Sequence, residues 1–197
     1  VSTFHSLGVR LLRADGERIG LKKNFSILDA DDVLGVLKDA GATTDNALAR
    51  RWQWTISRWK NEGLASAGVA PVNDDERVAQ RVMQCYEEWL VAYQAVDFDD
   101  LIGLPLKLLQ TDADARAKWQ GMLRYLLVDE VQDTNATQYE LLNLLADPRA
   151  PAFTAVGDDD QSIYGWRGAT IENLARLRQD FPTLEIIPLE QNYRSTG

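Results

Sequence analysis

Two short apolar runs, each ending in polar residues, constrain the fold of this chain more than any other feature. Residues 125–128 read Tyr-Leu-Leu-Val and end at Asp129, and residues 152–156 read Ala-Phe-Thr-Ala-Val and end at Gly157. Such runs are typical of strands that are buried on both faces of a parallel sheet. A helical pattern over residues 135–145 lies between them, so the segment predicts a strand–helix–strand unit.

The same alternation continues toward the end of the chain, where residues 170–180 predict a helix and residues 184–189 a third strand. Strands that alternate with helices indicate an α/β fold, in which helices flank a parallel sheet. In such sheets, ligands bind at the edge where the strands have their carboxyl ends. The polar residues after each run are therefore expected to lie together.

The first half of the chain has a different pattern, because it predicts helices only. Apolar residues recur at helical spacing, and Thr3 is a suitable N-cap for the first helix. The predicted helices cover residues 4–13, 29–37, 46–62 and 74–95. We expect Trp52, Trp54, Trp59 and Trp89 to form an aromatic core. The last helix should bury one face, formed by Val78, Val82, Tyr86, Trp89 and Tyr93.

Composition limits the classes of protein to which this chain can belong. No apolar run is long enough to span a bilayer, and a single cysteine cannot form an internal disulfide, so we expect a cytoplasmic protein without a membrane partner. The formal net charge of −9 argues against nucleic-acid binding. A sum over the whole chain does not, however, exclude a local groove with neutral or basic walls.

The carboxylates after the first run suggest chemistry on a phosphate group. Asp129 can hold Mg²⁺, usually through water, and Glu130 can orient and deprotonate a water that attacks a terminal phosphate. Taken alone, such a pair more often ends a strand or caps the next helix.

Two further polar segments favour the phosphate interpretation. Gln161 can contact a terminal phosphate or its attacking water. Tyr164, Trp166 and Arg167 offer two aromatic faces and a cation, which suit stacking on unpaired bases. Arg194, after the third predicted strand, can reach phosphate oxygens, although alone it would more often form a surface ion pair.

Together these segments resemble motifs II, III and IV of the UvrD/Rep/PcrA family of superfamily 1 DNA helicases. The matching stretches are Asp129 to Asp133, Gly157 to Ala169 and Gln191 to Ser195. Residues 2–8 are similar to motif Ib of that family, and residues 97–101 to another stretch typical of it. The resemblance extends over the whole chain, and the Rep branch is favoured.

The resemblance implies a fold, a set of roles and two cofactors, ATP and Mg²⁺. Residues 1–20 and 96–197 would form a partial RecA-like parallel sheet with flanking helices, domain 1A. Residues 21–95 would form an inserted all-helical subdomain, 1B. Asp129 would bind Mg²⁺ and Glu130 would be the catalytic base, while Gln161 and Arg194 would contact the γ-phosphate. The residues expected to bind DNA are Thr3, His5, Tyr164, Trp166 and Arg167.

The family further implies 3′-to-5′ translocation on single-stranded DNA and unwinding at duplex junctions. The sequence contains no Gly-x-x-x-x-Gly-Lys-Ser/Thr loop to hold the ATP phosphates. We therefore expect the chain to be an inactive segment of a longer helicase, whose open strand edges could lead to self-association. Three alternatives stay open: the motor of a RecB- or AddA-type helicase–nuclease, a DNA- or partner-binding module, and a carboxylate-based nuclease.

Overall fold

The computed structural model describes residues 1–146, 153–157, 176–177 and 179–188. Its helices are α1 (Phe4–Asp15), α2 (Ala30–Ala40), α3 (Asn46–Asn61), α4 (Asp74–Tyr93), α5 (Asp100–Thr111), α6 (Ala113–Met122) and α7 (Ala136–Leu145). Its strands are β1 (Ser26–Ile27), β2 (Ala95–Val96), β3 (Leu126–Val128) and β4 (Phe153–Ala155). No helix within these ranges has both the length and the apolar character needed to cross a membrane.

Side-chain caps fix where most of the helices begin, and the helices predicted before residue 146 are confirmed. Thr3 accepts a hydrogen bond from the Ser6 amide at the start of α1. Asp29 and Asn135 each form a capping box, which satisfies amide groups that a helix N-terminus leaves unpaired. The predicted helix over residues 170–180 lies mostly outside the described residues, and its described members are helical.

Helices α2, α3 and α4 pack on one another and enclose one apolar core. Trp52 and Trp59 are buried in it, as predicted, and Trp89 packs against its edge. Trp54 was expected there too, but this prediction is wrong, since its side chain is 66% exposed. The reason is its position on α3, two residues from Trp52 and therefore on a different side of the helix.

The buried face of α4 also differs from the prediction. The residues that it buries are Ala79, Val82, Met83, Tyr86 and Leu90. Val82 and Tyr86 were predicted, whereas Val78 and Tyr93 are exposed. Tyr93 instead stacks on Trp89, with 4.4 Å between the ring centroids. The predicted stripe was thus displaced toward one flank of the helix, where large aromatic side chains cover each other at the surface.

A second group of helices, α1, α5, α6 and α7, packs around a separate core. Helix α1 approaches α5 closely, because Gly8 lies directly against the backbone of Leu101. A Cβ atom at Gly8 would overlap the Leu101 carbonyl oxygen and lie 3.4 Å from Cγ of Pro105. Contact between α1 and α5 therefore requires glycine at this position.

Replacing Gly8 by alanine should destabilise the fold by about 1–3 kcal/mol or more, because α1 must move away from α5. Gly35→Ala in α2 is the matched control, since its Cβ would meet no atom within 4 Å. That change should stabilise the helix by ~0.5–1 kcal/mol. Urea unfolding followed by tryptophan fluorescence measures both. Equal effects of the two substitutions would show that the close approach at Gly8 is not required.

The predicted strand–helix–strand unit is confirmed, since β3 and β4 pair in parallel and α7 connects the two regions of the chain. Leu126, Leu127 and Val128 lie opposite Phe153, Thr154 and Ala155. A cluster of apolar side chains covers one face of the pair; its buried members are Val128, Val131, Tyr139, Leu142 and Leu177.

Two details of the predicted sheet are wrong. Leu127 is 71% exposed, so β3 is not buried on both faces. Its side chain belongs to the face opposite α7, and its partner Thr154 is exposed as well. Over its described part, 184–188, the predicted third strand forms no ladder, and Ile186 and Ile187 are exposed. An apolar run needs a paired neighbour to become a strand, and these residues have none among those described.

A short parallel pair that was not predicted joins the two ends of the segment that contains α2, α3 and α4. Ser26 of β1 lies opposite Ala95 of β2, and Ile27 lies opposite Val96. The Leu28 amide extends the ladder by donating to the Val96 carbonyl at 2.8 Å. The chain therefore enters and leaves this helical segment at adjacent points.

Candidate functional site

Asp129 and Glu130 lie at the carboxyl end of β3, where both side chains are exposed. The end of β4 is directly beside them. The Val156 amide donates to the Val128 carbonyl at 2.8 Å, and the Val131 amide donates to the Val156 carbonyl at 3.0 Å. The loops after both strands thus begin at the same edge, as parallel pairing requires.

The backbone and one buried neighbour hold Glu130 in a defined orientation. Its φ of 52° and ψ of 45° are left-handed, a conformation that costs a non-glycine residue free energy and often occurs at functional sites. A short 3₁₀ turn, Val131–Asp133, follows it. Gln132, which is 1% exposed, donates from Nε2 to Oε2 of Glu130 at 2.6 Å. Sequence reasoning missed this contact, although Gln132 lies within the stretch Asp129 to Asp133.

Gly157 allows the β4 loop to approach this turn. A Cβ atom at Gly157 would lie 2.6 Å from Oε1 of Gln132 and 2.9 Å from Cγ1 of Val131. Any larger side chain would displace the amide that orients Glu130.

The donor set at this edge suits magnesium rather than a fully protein-bound metal. The part of the chain that the structure describes contains no group of three or more metal-binding side chains. Mg²⁺ needs no such group, because it retains several waters and takes one or two carboxylates together with substrate phosphates. Asp129 is an exposed carboxylate at this edge, and its Oδ1 accepts a hydrogen bond from the Glu130 amide at 3.0 Å.

The two described residues predicted to bind DNA lie at the start of α1. The hydroxyl of Thr3 donates to Oγ of Ser6 at 3.1 Å while it caps the helix. His5 is partly buried, and its ring lies 5.5 Å from that of Phe98. Burial lowers the pKa of His5, and the negative charge of Asp99 partly opposes this effect. Neutral imidazole still carries one N–H that can donate to a phosphate oxygen.

The other predicted site residues fall outside the described residues. They are Gln161, Tyr164, Trp166, Arg167 and Arg194. Whether Gln161 and Arg194 lie near Glu130 therefore stays a prediction.

A nearly buried ionic cluster joins the helical segment to the beginning of α5. Nζ of Lys60 lies 2.7 Å from carboxylate oxygens of both Asp97 and Asp100. The hydroxyl of Tyr86 donates to Asp97 at 2.8 Å. Helix α5 begins at Asp100, and Oδ1 of Asp97 accepts a hydrogen bond from the Asp100 amide at 2.9 Å. Asp97 therefore caps α5 as well as pairing with Lys60.

The charges of this cluster are not balanced, because two carboxylates share one ammonium group. Burial opposes ionisation of Asp97, but Lys60 outweighs it and holds the pKa of Asp97 below its usual value. Burial raises the pKa of Asp100 to about 6, and Lys60 opposes this effect only in part. Despite its burial, the two carboxylates hold the pKa of Lys60 above its usual range. The lysine is therefore charged at neutral pH.

Asn61, the last residue of α3, forms a second connection next to this cluster. Its Nδ2 donates to Oδ1 of Asp99 at 2.9 Å, and its Oδ1 accepts from Nδ2 of Asn135 at 2.6 Å. Thr137 of α7 donates to the Asn61 carbonyl at 2.5 Å. One residue of the helical segment thus contacts both α5 and α7.

Comparisons of the sequence with known proteins point to one family. Residues 1–182 match the family described as UvrD/REP helicase N-terminal domain. The ATP-dependent DNA helicase Rep of Escherichia coli strain K12 is 46% identical over 202 residues, which cover all of this chain and 30% of that protein. The ATP-dependent DNA helicase PcrA of Leuconostoc citreum is 45% identical, with all of this chain and 27% of that protein covered. The chain therefore spans less than a third of the length of these relatives.

The fold and the site define an α/β domain with a carboxylate pair at the carboxyl edge of a parallel strand pair, combined with a helical segment. The chain belongs to the UvrD/REP helicase N-terminal domain family.

Proposed function

We propose that this chain is part of an ATP-dependent DNA helicase that couples ATP hydrolysis to 3′-to-5′ movement along single-stranded DNA and to duplex unwinding. The observation that carries the proposal is the Asp129–Glu130 pair at the carboxyl edge of β3 and β4, in a member of this family. Identity of 45–46% over the whole of this chain, to less than a third of proteins named Rep and PcrA, supports a helicase of the Rep type over a helicase–nuclease.

The proposed domain division follows two separate apolar cores, that of α2, α3 and α4 and that of α1, α5, α6 and α7. Residues 1–20 and 96–197 form a partial RecA-like motor domain, 1A, and residues 21–95 form the inserted helical domain, 1B. The separate apolar core of α2, α3 and α4 supports this division. The pairing of β1 with β2 supports it as well, because an inserted domain must enter and leave its host at neighbouring points.

In the proposed reaction, ATP binds at the carboxyl edge of β3 and β4. Asp129 would hold Mg²⁺, which would supply positive charge to the phosphates. Glu130, oriented by Gln132, positions the attacking water and accepts its proton. Gln161 and Arg194 are proposed to contact the γ-phosphate, where an arginine stabilises developing charge.

Single-stranded DNA is proposed to run across the start of α1, where Thr3 and His5 contact its phosphates. Tyr164 and Trp166 would stack on bases, with Arg167 beside them. Stacking does not depend on a basic surface, so the acidic net charge of the chain is compatible with this mode of binding. The 197 residues alone should not hydrolyse ATP, because they contain no loop to cradle its phosphates.

Hydrolysis by the full-length protein tests the proposal. We expect ATP turnover to rise in the presence of a single-stranded oligonucleotide and to respond little to a blunt duplex. A duplex with a 3′ tail should be unwound, whereas one with a 5′ tail should not. Turnover that ignores single-stranded DNA would contradict the proposal, and Mg²⁺-dependent cleavage of DNA without ATP would favour a nuclease instead.

A further inference from the structure

We propose that Asn61 is a positioning residue that couples the hydrolysis loop after β3 to the DNA-contacting start of α1. The inference rests on the proposed function and extends it, because it assigns a role in ATP–DNA coupling to the helical segment. The side chain of Asn61 is hydrogen-bonded at once to Asp99, which lies toward α1, and to Asn135, which lies toward the hydrolysis loop.

The connection toward the hydrolysis loop is short and held by hydrogen bonds. Asn135, the direct partner of Asn61, caps α7 and lies five residues after Glu130. Within this turn, the Asp133 amide donates to the Glu130 carbonyl at 2.9 Å, and the Thr134 hydroxyl donates to the Val131 carbonyl at 2.7 Å. A shift of Asn135 is therefore transmitted to the backbone that holds Glu130, instead of being absorbed by a loose loop.

The connection toward the DNA side runs through Asp99. This residue occupies the N-cap position of α5, yet its side chain makes no capping bond and faces Asn61. Burial raises the pKa of Asp99, and the charge of Asp99 partly opposes the lowering of the His5 pKa by burial. Its neighbour Phe98 contacts the His5 ring. Displacing Asp99 thus changes both the packing and the electrostatic environment of the proposed phosphate contact.

A purely structural role for Asn61 predicts different behaviour. The neighbouring Lys60 already joins α3 to the start of α5 through two ion pairs. A structural connection would, when removed, lower stability or lower all activities together. A coupling residue changes how much DNA accelerates hydrolysis, and leaves hydrolysis without DNA nearly unchanged.

Steady-state ATP hydrolysis by the full-length protein separates these roles. For Asn61→Ala we expect DNA-free turnover within about twofold of wild type, and stimulation by a saturating single-stranded oligonucleotide reduced about tenfold. Asn135→Asp should act in the same way. It preserves the oxygen that caps α7 but removes the amide that donates to Asn61. The double variant should be no worse than either single variant.

Gln53→Ala is the matched control. Its side-chain amide, also on α3, donates to the Ala30 carbonyl at 2.9 Å and so stays within the helical segment. It should leave stimulation by DNA at the wild-type level. Stimulation within twofold of wild type in both Asn61→Ala and Asn135→Asp would overturn the inference, as would equal loss of turnover with and without DNA. A wild-type protein without stimulation by DNA would instead refute the proposed function.

Discussion

Replacing Glu130 by glutamine should lower ATP turnover by the full-length protein by about 10²–10⁴-fold, because glutamine cannot accept a proton from the attacking water. The side chains have nearly the same shape, and the oxygen of the new amide can still accept the hydrogen bond from Gln132. ATP binding should therefore be preserved. Single-turnover hydrolysis measures the first effect, and titration with a fluorescent ATP analogue measures the second.

Glu140→Gln provides the control for this substitution. Glu140 lies on α7 and pairs with Arg176 at 2.6 Å near the surface, on a helix that follows the same turn. Its replacement should change neither binding nor turnover. If Glu130→Gln weakened ATP binding and turnover in proportion, Glu130 would be a ligand of the nucleotide and not the base.

Elements whose signals are local were predicted well from the sequence. Thr3, Asp29 and Asn135 accept hydrogen bonds from amides two or three residues further along the chain, so the start of each helix is encoded next to it. The ends of β3 and β4 were predicted equally well, because parallel pairing alone places Asp129 and Val156 at one edge. The family motifs then supplied the proposed roles.

Features that depend on distant partners were missed. The bond from Lys60 to Asp97 joins residues 37 positions apart, and that from Asn135 to Asn61 joins residues 74 apart. Neither pairing leaves a periodic signal. The exposure of Leu127 was missed for the same reason, because it too depends on residues distant in the sequence. An apolar run indicates that a strand can be buried, but it does not indicate which face of the strand other elements cover.

The second large effect is expected at Lys60. Its replacement by methionine should destabilise the fold by about 3–5 kcal/mol, because two buried carboxylates lose the ammonium group that they share. Urea unfolding followed by the fluorescence of the buried Trp52 and Trp59 measures the loss. Lys38→Met is the control, since Lys38 of α2 is only partly buried and its Nζ donates to Oδ1 of Asn46 at 3.0 Å. That change should cost less than about 0.5 kcal/mol.

The effect of Lys60→Met should also depend on pH, which distinguishes loss of charge from loss of packing. Already in the native protein the pKa of Asp100 is raised to about 6, above its value in the unfolded chain. A group whose pKa is higher in the folded than in the unfolded state stabilises the fold at a pH below its unfolded pKa. This contribution is lost as the pH rises through its folded pKa. Without Lys60, the pKa values of Asp97 and Asp100 should both rise, so the variant should be least stable relative to wild type at pH 8. At pH 5 protonation should relieve much of the defect. An equal loss of stability at both pH values would contradict a role for the charge, and would mean that the methionine side chain packs poorly between the helical segment and α5.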